Sequence, residues 1–384
     1  MVPGIPHGSG FFDEENVKPT LREIARQARV HYSTASYILN GANGSTRVSE
    51  ATRQRVLTIA DQLGYRANRA AQQLRTRRSQ VIGLLVGDLE NPFFARLVSL
   101  CTLELERAGY ESVLAMRRPN EVSDLHLLET LLSRQVDGVL IWSESATELR
   151  EWIATTPQAP KAVILGYRMD QCDSVEAELE AGIVLALQHL LEQGFQRIAY
   201  LAPADSLTST GDPRPGTYRR VMQAAGRPDR IYSFALDSHS AGAARLCAEQ
   251  IACERPSERP DALLCFNDMT AIGALMGLRR KGLRVPQDVA LVGCDDLPLA
   301  AQMDVPLTSI VYPLEAMCRS AIEMLLDRLS GSFPASAPEA NAASRSIRYR
   351  SVPTTLAIRQ SSRRDSADSA AFNIPTFDPL RIEK

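Results

Sequence analysis

The sequence predicts an all-α helix-turn-helix headpiece followed by an α/β core of two doubly wound parallel-sheet subdomains. Three observations carry this. Three short amphipathic segments with capping signals follow one another between Thr20 and Leu63. From Gln80 onward, near-continuous apolar runs alternate with helical stretches, the pattern of parallel strands covered on both faces. Charge divides along the same line. Between Lys18 and Arg78 stand twelve basic and three acidic residues, a formal +9, so that a chain of net charge −2 leaves −11 for everything else. A basic head on an acidic body is the electrostatic footprint of a polyanion binder.

In the headpiece, Thr20 and Glu23 form a T-x-x-E capping box, which starts a helix with Leu21, Ile24, Ala25 and Ala28 on one face. A tight turn at Arg29-Val30 leads to a second helix from Ser33 to Leu39, with Ile38 and Leu39 inward. Asn40-Gly41 closes it, since both residue types tolerate the left-handed conformation. Ser49 caps a third helix whose stripe is Val56, Ile59, Ala60 and Leu63. Three such helices bury little, but they leave one helix exposed for a major groove.

In the core, strands are expected in QVIGLLVGD, YESVLAM, VDGVLIW, KAVILGY, RIAYLA, RIYSFAL, DALLCFN and VALVGCD. Helices run from Pro92 to Arg107 and from Val122 to Arg134, with others between most of the later strands. That many strands exceed one small sheet, hence two subdomains. Ligands of such folds sit beyond the carboxyl ends of strands. The positions there are Asp88–Phe94, Trp142-Ser143, Tyr167, Asn267-Asp268 and Asp295-Asp296. The small-residue segment after Leu329 is a loop, and SIRYRSVPTTLAIR returns to a sheet. The resulting division is a flexible leader (1–17), headpiece (18–66), hinge helix and linker (67–79), core (80–362) and a polar, Pro-interrupted tail (363–384) expected to be disordered.

The 384 residues, 45% of them apolar, suffice for two or three domains with real cores. No apolar run reaches the length of a membrane span, and the N-terminus lacks a signal-peptide layout, so a cytoplasmic protein is expected. The seven cysteines (101, 172, 247, 253, 265, 294, 318) form no C-x-x-C and mostly lie in apolar runs, the pattern of buried reduced thiols. The five histidines show no metal-ligand spacing, and no metal or cofactor is expected.

Several segments, in order, resemble the LacI/GalR family of bacterial transcription regulators over residues 20–362. TLREIARQA is similar to the family's first helix and STASYILNG to its recognition helix, the latter closest to fructose-responsive members. The run from RVSEATRQRV through NPFF resembles the third helix, hinge helix, first core strand and following turn. LLSRQVDGVLI, HLLEQGFQRIAYLA, NDMTAIGALMGLRRKGLRVPQDVALVGCDDLPLA and PLTSIVYPLEAM supply the later landmarks. The resemblance implies a core like the periplasmic sugar-binding proteins, and a homodimer on palindromic double-stranded operator DNA.

It further implies that Tyr32, Ser33 and Tyr37 face base edges, while Ser36, Asn40, Ser49 and Thr52 position phosphates. Many members carry Arg where Tyr37 stands, and the loop before the third helix is longer than usual. Asn68 to Leu74 matches the hinge helix, with Ala71 small enough for close pairing and Leu74 as a minor-groove wedge. Such a short helix is unstable alone and so serves as the element that folds or frays with the core's arrangement.

For a small-molecule effector, a sugar or sugar phosphate, the matching contacts are Phe93, Arg214, Asn267 and Asp295. Asp88 is a weaker candidate. Tyr167 replaces an acid usual in the family, and ALDSHS lacks its aromatic platform. Whether the effector releases or tightens DNA binding stays open. Two other classes compete. A sugar-transport component would need export and has no use for a basic headpiece. An enzyme would need a motif such as a P-loop, G-x-S-x-G or H-E-x-x-H, and none occurs; Asp295-Asp296, adjacent at a strand end, should point apart. DNA binding without sugar turnover separates all three.

Overall fold

The computed structural model describes residues 19–39, 48–65, 78–117, 123–143, 146–156, 161–208, 211–235, 241–331 and 347–364. It divides into two compact units at Ser79/Gln80.

The first unit holds α1 (Leu21–Ala28), α2 (Tyr32–Leu39) and α3 (Glu50–Gln62). Thr20 Oγ1 accepts the Glu23 N–H at 3.3 Å, so the expected cap forms. Its reciprocal half does not. The Glu23 carboxylate turns instead to Arg26 and Gln27, whose donors hold its pKa down at about 2. Arg29 takes φ 51°, the left-handed turn that ends α1, and Arg55 donates to the Ala28 carbonyl at 2.9 Å. Ile24, Ala25, Ala28, Ala35, Ile38, Val56 and Ala60 form the buried centre. The expected end of α2 at Asn40-Gly41 lies outside the described residues.

The second unit contains two six-stranded sheets. In the first, β1 (Val81–Val86), β2 (Glu111–Met116), β3 (Gly138–Ile141), β4 (Ala162–Leu165), β5 (Asp173–Ala177) and β11 (Tyr349–Val352) run in the order β11-β5-β4-β3-β1-β2, all parallel. The second orders β12 (Thr355–Ala357), β10 (Thr308–Val311), β9 (Ala290–Asp295), β8 (Ala262–Cys265), β6 (Ile198–Pro203) and β7 (Arg230–Phe234) as β12-β10-β9-β8-β6-β7, with only β12 antiparallel.

Helices α4 (Pro92–Arg107), α5 (Asp124–Ser133), α6 (Ala146–Thr155) and α11 (Leu314–Ser330) serve the first sheet. Helices α7 (Leu179–Glu192), α8 (Arg214–Ala224), α9 (Ala241–Ala252) and α10 (Asp268–Arg280) serve the second. The strands expected from sequence all form. Those missed are β5, whose DSVEA carries charges at both ends of its apolar content, and β10, four residues long. The single run SIRYRSVPTTLAIR becomes two strands in two sheets, because the chain crosses between subdomains at Pro353-Thr354.

Two further crossings accompany that one, after β5 and after β10. They are stitched together: the Glu178 N–H donates to the Val352 carbonyl at 2.9 Å, and Thr354 Oγ1 donates to the Glu178 carbonyl at 2.9 Å. One apolar cluster, from Ile82 and Leu97 to Tyr200 and Met317, runs through both subdomains. The buried Asp173 carboxylate ties α11 to β11, accepting Arg328 Nε at 2.9 Å and Arg348 Nη2 at 2.7 Å. Burial pushes the Asp173 pKa up, and the two guanidiniums overcome that and hold it below its ordinary value.

Candidate functional site

On the headpiece, α2 displays its first turn. Tyr32 is 49% exposed, and Ser33 is exposed beside it. The sequence reading missed His31, which caps this helix: Nδ1 accepts the Ser33 N–H at 3.3 Å and lies 2.7 Å from Ser33 Oγ. An H-x-S spacing at a helix start is the signal it left. Ser36 and Tyr37 are half-buried, and the Tyr37 ring packs on the headpiece's apolar centre. Ser49 caps α3 by accepting the Thr52 N–H at 3.3 Å, and the two hydroxyls lie 2.8 Å apart. Ser49 and Thr52 therefore serve the helix terminus as well as facing solvent. Asn40, Asn68, Ala71 and Leu74 lie outside the described residues.

In the core, the carboxyl ends of the second sheet bring Arg214, Asn267 and Asp295 together. Arg214 opens α8 with its Nε donating to Asp212 Oδ1 at 2.8 Å and Nη1 to the Phe266 carbonyl at 2.9 Å. Its guanidinium lies 3.6 Å from the centre of the Phe266 ring. Burial works against the Arg214 charge, and Asp212 more than restores it. Asn267 caps α10, its Oδ1 accepting the Thr270 N–H at 2.9 Å and hydroxyl at 2.8 Å. The next residue, Asp268, is fully buried, accepting Ser309 Oγ at 2.6 Å and the Leu297 N–H at 2.7 Å. Gly293 makes room for it, since a Cβ there would stand 2.2 Å from Asp268 Oδ1.

Asp295 ends β9 at φ 114° and is 6% exposed. Asp296, at φ 49°, turns away to Arg359 Nη1 at 2.6 Å, so the adjacent acids do part as expected. The acid coupled to Asp295 is Asp268. Burial raises both pKa values, that of Asp268 to about 7, and Asp268 raises Asp295 further. Arg96 of α4 reaches across from the other subdomain, donating to the Asp296 carbonyl at 3.3 Å and to Glu315 at 2.6 Å.

Beside it stands an aromatic group. Phe93, Trp142 and Tyr312 pack edge-on or tilted, with centroids 5.1 to 5.8 Å apart. Phe93 is only 4% exposed, whereas Trp142 keeps open surface. The apolar face expected of Phe93 is thus presented by Trp142, with Phe93 behind it. Arg214 and Asp295 both act on the Tyr312 hydroxyl, which places this group beside the polar one. Further along the first sheet's carboxyl edge, Ser143 donates to the buried Asp124, and burial pushes the Tyr167 phenol up to about 12.

A helix-turn-helix unit followed by a two-subdomain α/β core, with polar side chains gathered at the carboxyl ends of its strands, defines the class of DNA-binding, ligand-responsive regulators. The comparisons give the same answer. Residues 20–68 match the model for bacterial regulatory proteins of the lacI family, and residues 187–362 match the periplasmic binding protein-like domain. The HTH-type transcriptional repressor PurR of Vibrio atlanticus is 30% identical over 313 residues, covering 81% of this chain and 92% of that protein. The HTH-type transcriptional regulator MalR of Streptomyces coelicolor is 32% identical over 319 residues, covering 81% and 90%. The lac repressor dimer bound to operator and an anti-inducer superposes with TM-score 0.72 at 25% identity, over 90% of this chain and 99% of that one. A CelR–cellobiose complex gives 0.59 at 28% identity, over 89% and 99%. The chain belongs to the LacI family of bacterial transcription regulators. These relatives are regulators, not enzymes, and no helix of the described residues is long and apolar enough to cross a membrane.

Proposed function

We propose that this protein is a cytoplasmic homodimeric repressor that binds a palindromic operator and changes its affinity when a sugar or sugar phosphate enters the core cleft. The convergence of Arg214, Asn267 and Asp295 near the Tyr312–Trp142 aromatic group carries the reading: a guanidinium, an amide and a carboxyl group beside an aromatic face suit a hydroxylated ring. Phe93 backs that face. In the headpiece, Tyr32, Ser33 and Tyr37 are assigned to base edges, and Ser36, Asn40, Ser49 and Thr52 to phosphates. Asn68, Ala71 and Leu74 are assigned to a paired hinge helix in the minor groove. Exposed Leu103 and Leu114 on one subdomain, and Leu246 and Met276 on the other, offer apolar surface for the second copy. A two-fold dimer makes the operator palindromic.

The test is DNA selection with the purified chain, followed by titration of the selected operator with sugars. A ligand moves the equilibrium only by binding the two core states unequally. Asp295→Ala is expected to retain operator binding and lose the response to sugar. An unchanged dose–response would remove Asp295 from the site.

A further inference from the structure

Resting on the cleft as the effector site, we propose that its occupant is an uncharged polyhydroxy sugar and that the site rejects phosphorylated sugars. Three independent features of the cleft point this way.

The first is charge. Arg214 is the cation acting on both Asp295 and Tyr312, and it is already committed, with Nε on Asp212, Nη1 on the Phe266 carbonyl and its flat face on the Phe266 ring. Beside it stand Asp212 and Asp295. The nearby arginines Arg359 and Arg96 are held by Asp296 and Glu315. A phosphate ester needs several charge-assisted donors. Here it would meet the Asp212 carboxylate beside a guanidinium that is already engaged.

The second is the balance of donors and acceptors. Two buried carboxylate oxygens, Asp212 Oδ2 and Asp124 Oδ1, have no hydrogen-bond partner among the described residues. Their side chains lie by the carboxyl ends of the two sheets, that of Asp212 9% exposed and Asp124 as a residue 3% exposed. Asp295 adds a third buried carboxyl group. A buried acceptor left unmade is costly, so the cleft calls for a ligand that donates. Sugar hydroxyls donate, and a phosphate at neutral pH does little but accept.

The third is the aromatic surface. Trp142 from the first sheet and Phe266 from the second both keep exposed area, whereas Phe93 and Tyr312 behind them are buried. Trp142 is held by the Phe93 and Tyr312 rings and packs over Gly166, where a Cβ would stand 3.0 Å from the indole. A rigid indole suits the C–H face of a pyranose or furanose ring.

Matched pairs test this on the full chain: glucose, fructose, sucrose and trehalose against glucose 6-phosphate, fructose 1-phosphate, sucrose 6-phosphate and trehalose 6-phosphate. Thermal shift finds the binders, since a ligand of the folded state raises the midpoint, and calorimetry measures them. At least one free sugar is expected to bind, at least tenfold more tightly than its ester, with inorganic phosphate failing to compete. Asp212→Asn should narrow that preference by removing one charge beside Arg214; Asp124→Asn, on a helix of the other subdomain, should weaken the sugar without narrowing it. An ester that binds as tightly as its sugar or more so, with inorganic phosphate competing, overturns the inference and leaves the site standing. Sugar binding that Asp295→Ala does not change overturns the site itself, and a series in which nothing binds overturns both.

Discussion

Among the described residues, seven buried apolar side chains, four of them alanine, hold the headpiece, whereas the core is built around clusters of large ones such as Phe195, Tyr200 and Tyr218. The chemistry is distributed in the opposite sense. Among the described headpiece residues assigned to DNA, on α2 and at the start of α3, Tyr32, Ser33 and Ser49 are exposed and Ser36, Tyr37 and Thr52 half-buried. Of the core residues assigned to the effector, Phe93, Asn267 and Asp295 are buried and Arg214 half-buried, and Asp295 is bent into a backbone region that favours glycine. A small unit can read a polyanion because phosphate attraction acts at a surface. Selecting a small molecule needs desolvated groups, and only a large core stabilises enough to hold them.

The sharpest break of this contrast is Arg348→Ala, which strips a guanidinium from the buried Asp173. Breaking a buried pair costs about 3–5 kcal/mol. Chemical denaturation followed by core tryptophan fluorescence should show that loss, while headpiece helicity in an isolated 1–79 fragment has no part in it. Wild type should also lose stability in acid, because a carboxylate whose folded pKa is depressed contributes above its unfolded value and loses that contribution as pH falls through the folded one. A core transition unmoved by Arg348→Ala would mean that the pair adds nothing to the fold.

At neutral pH the opposite sign is expected from Asp268. Its folded pKa, raised to about 7, means that the folded state holds a proton the unfolded chain has released. Stability should therefore fall as pH rises from 5 to 8. Asp268→Asn, which can still accept from Leu297 and donate to Ser309, should flatten that slope. Melting midpoints across the range decide it, and a mutant with the wild-type slope would place the titration elsewhere.

Backbone strain gives a third comparison. At φ 114° an Asp295→Gly chain should be more stable than Asp295→Ala by roughly 1–3 kcal/mol, although both lose the carboxylate. Equal stabilities would show that the conformation costs nothing.

On the headpiece, exposure ranks Tyr32 above Tyr37, whose ring is partly spent on the apolar centre. Tyr32→Ala is expected to weaken operator binding with little change in headpiece melting, and Tyr37→Ala to lower both. Tyr37→Arg should shift the selected motif toward guanine by at most about 1–3 kcal/mol at one symmetric pair of positions. Identical motifs from wild type and mutant would take Tyr37 off the bases. Smallest of all, Ser49→Ala should cost the headpiece about 1 kcal/mol through the lost cap on α3.

Local rules made much of this legible in advance. The caps at Thr20 and Ser49, the stripes of α1 and α3, and most buried strands follow from periodicity and nearby hydrogen bonding, which the chain carries within a few residues. The match of ordered segments fixed the family and nominated Arg214, Asn267 and Asp295. What the sequence could not determine is set by residues far apart in the chain. Pairing decided that one β-rich run serves two sheets. Packing moved the open aromatic face from Phe93 to Trp142. Burial coupled Asp295 to Asp268, 27 positions away, rather than to its neighbour Asp296, because β9 delivers the two adjacent acids into different surroundings. Sequence carries the charge of each group; only the tertiary structure sets its distance from other charges and from water, and those distances determine the chemistry.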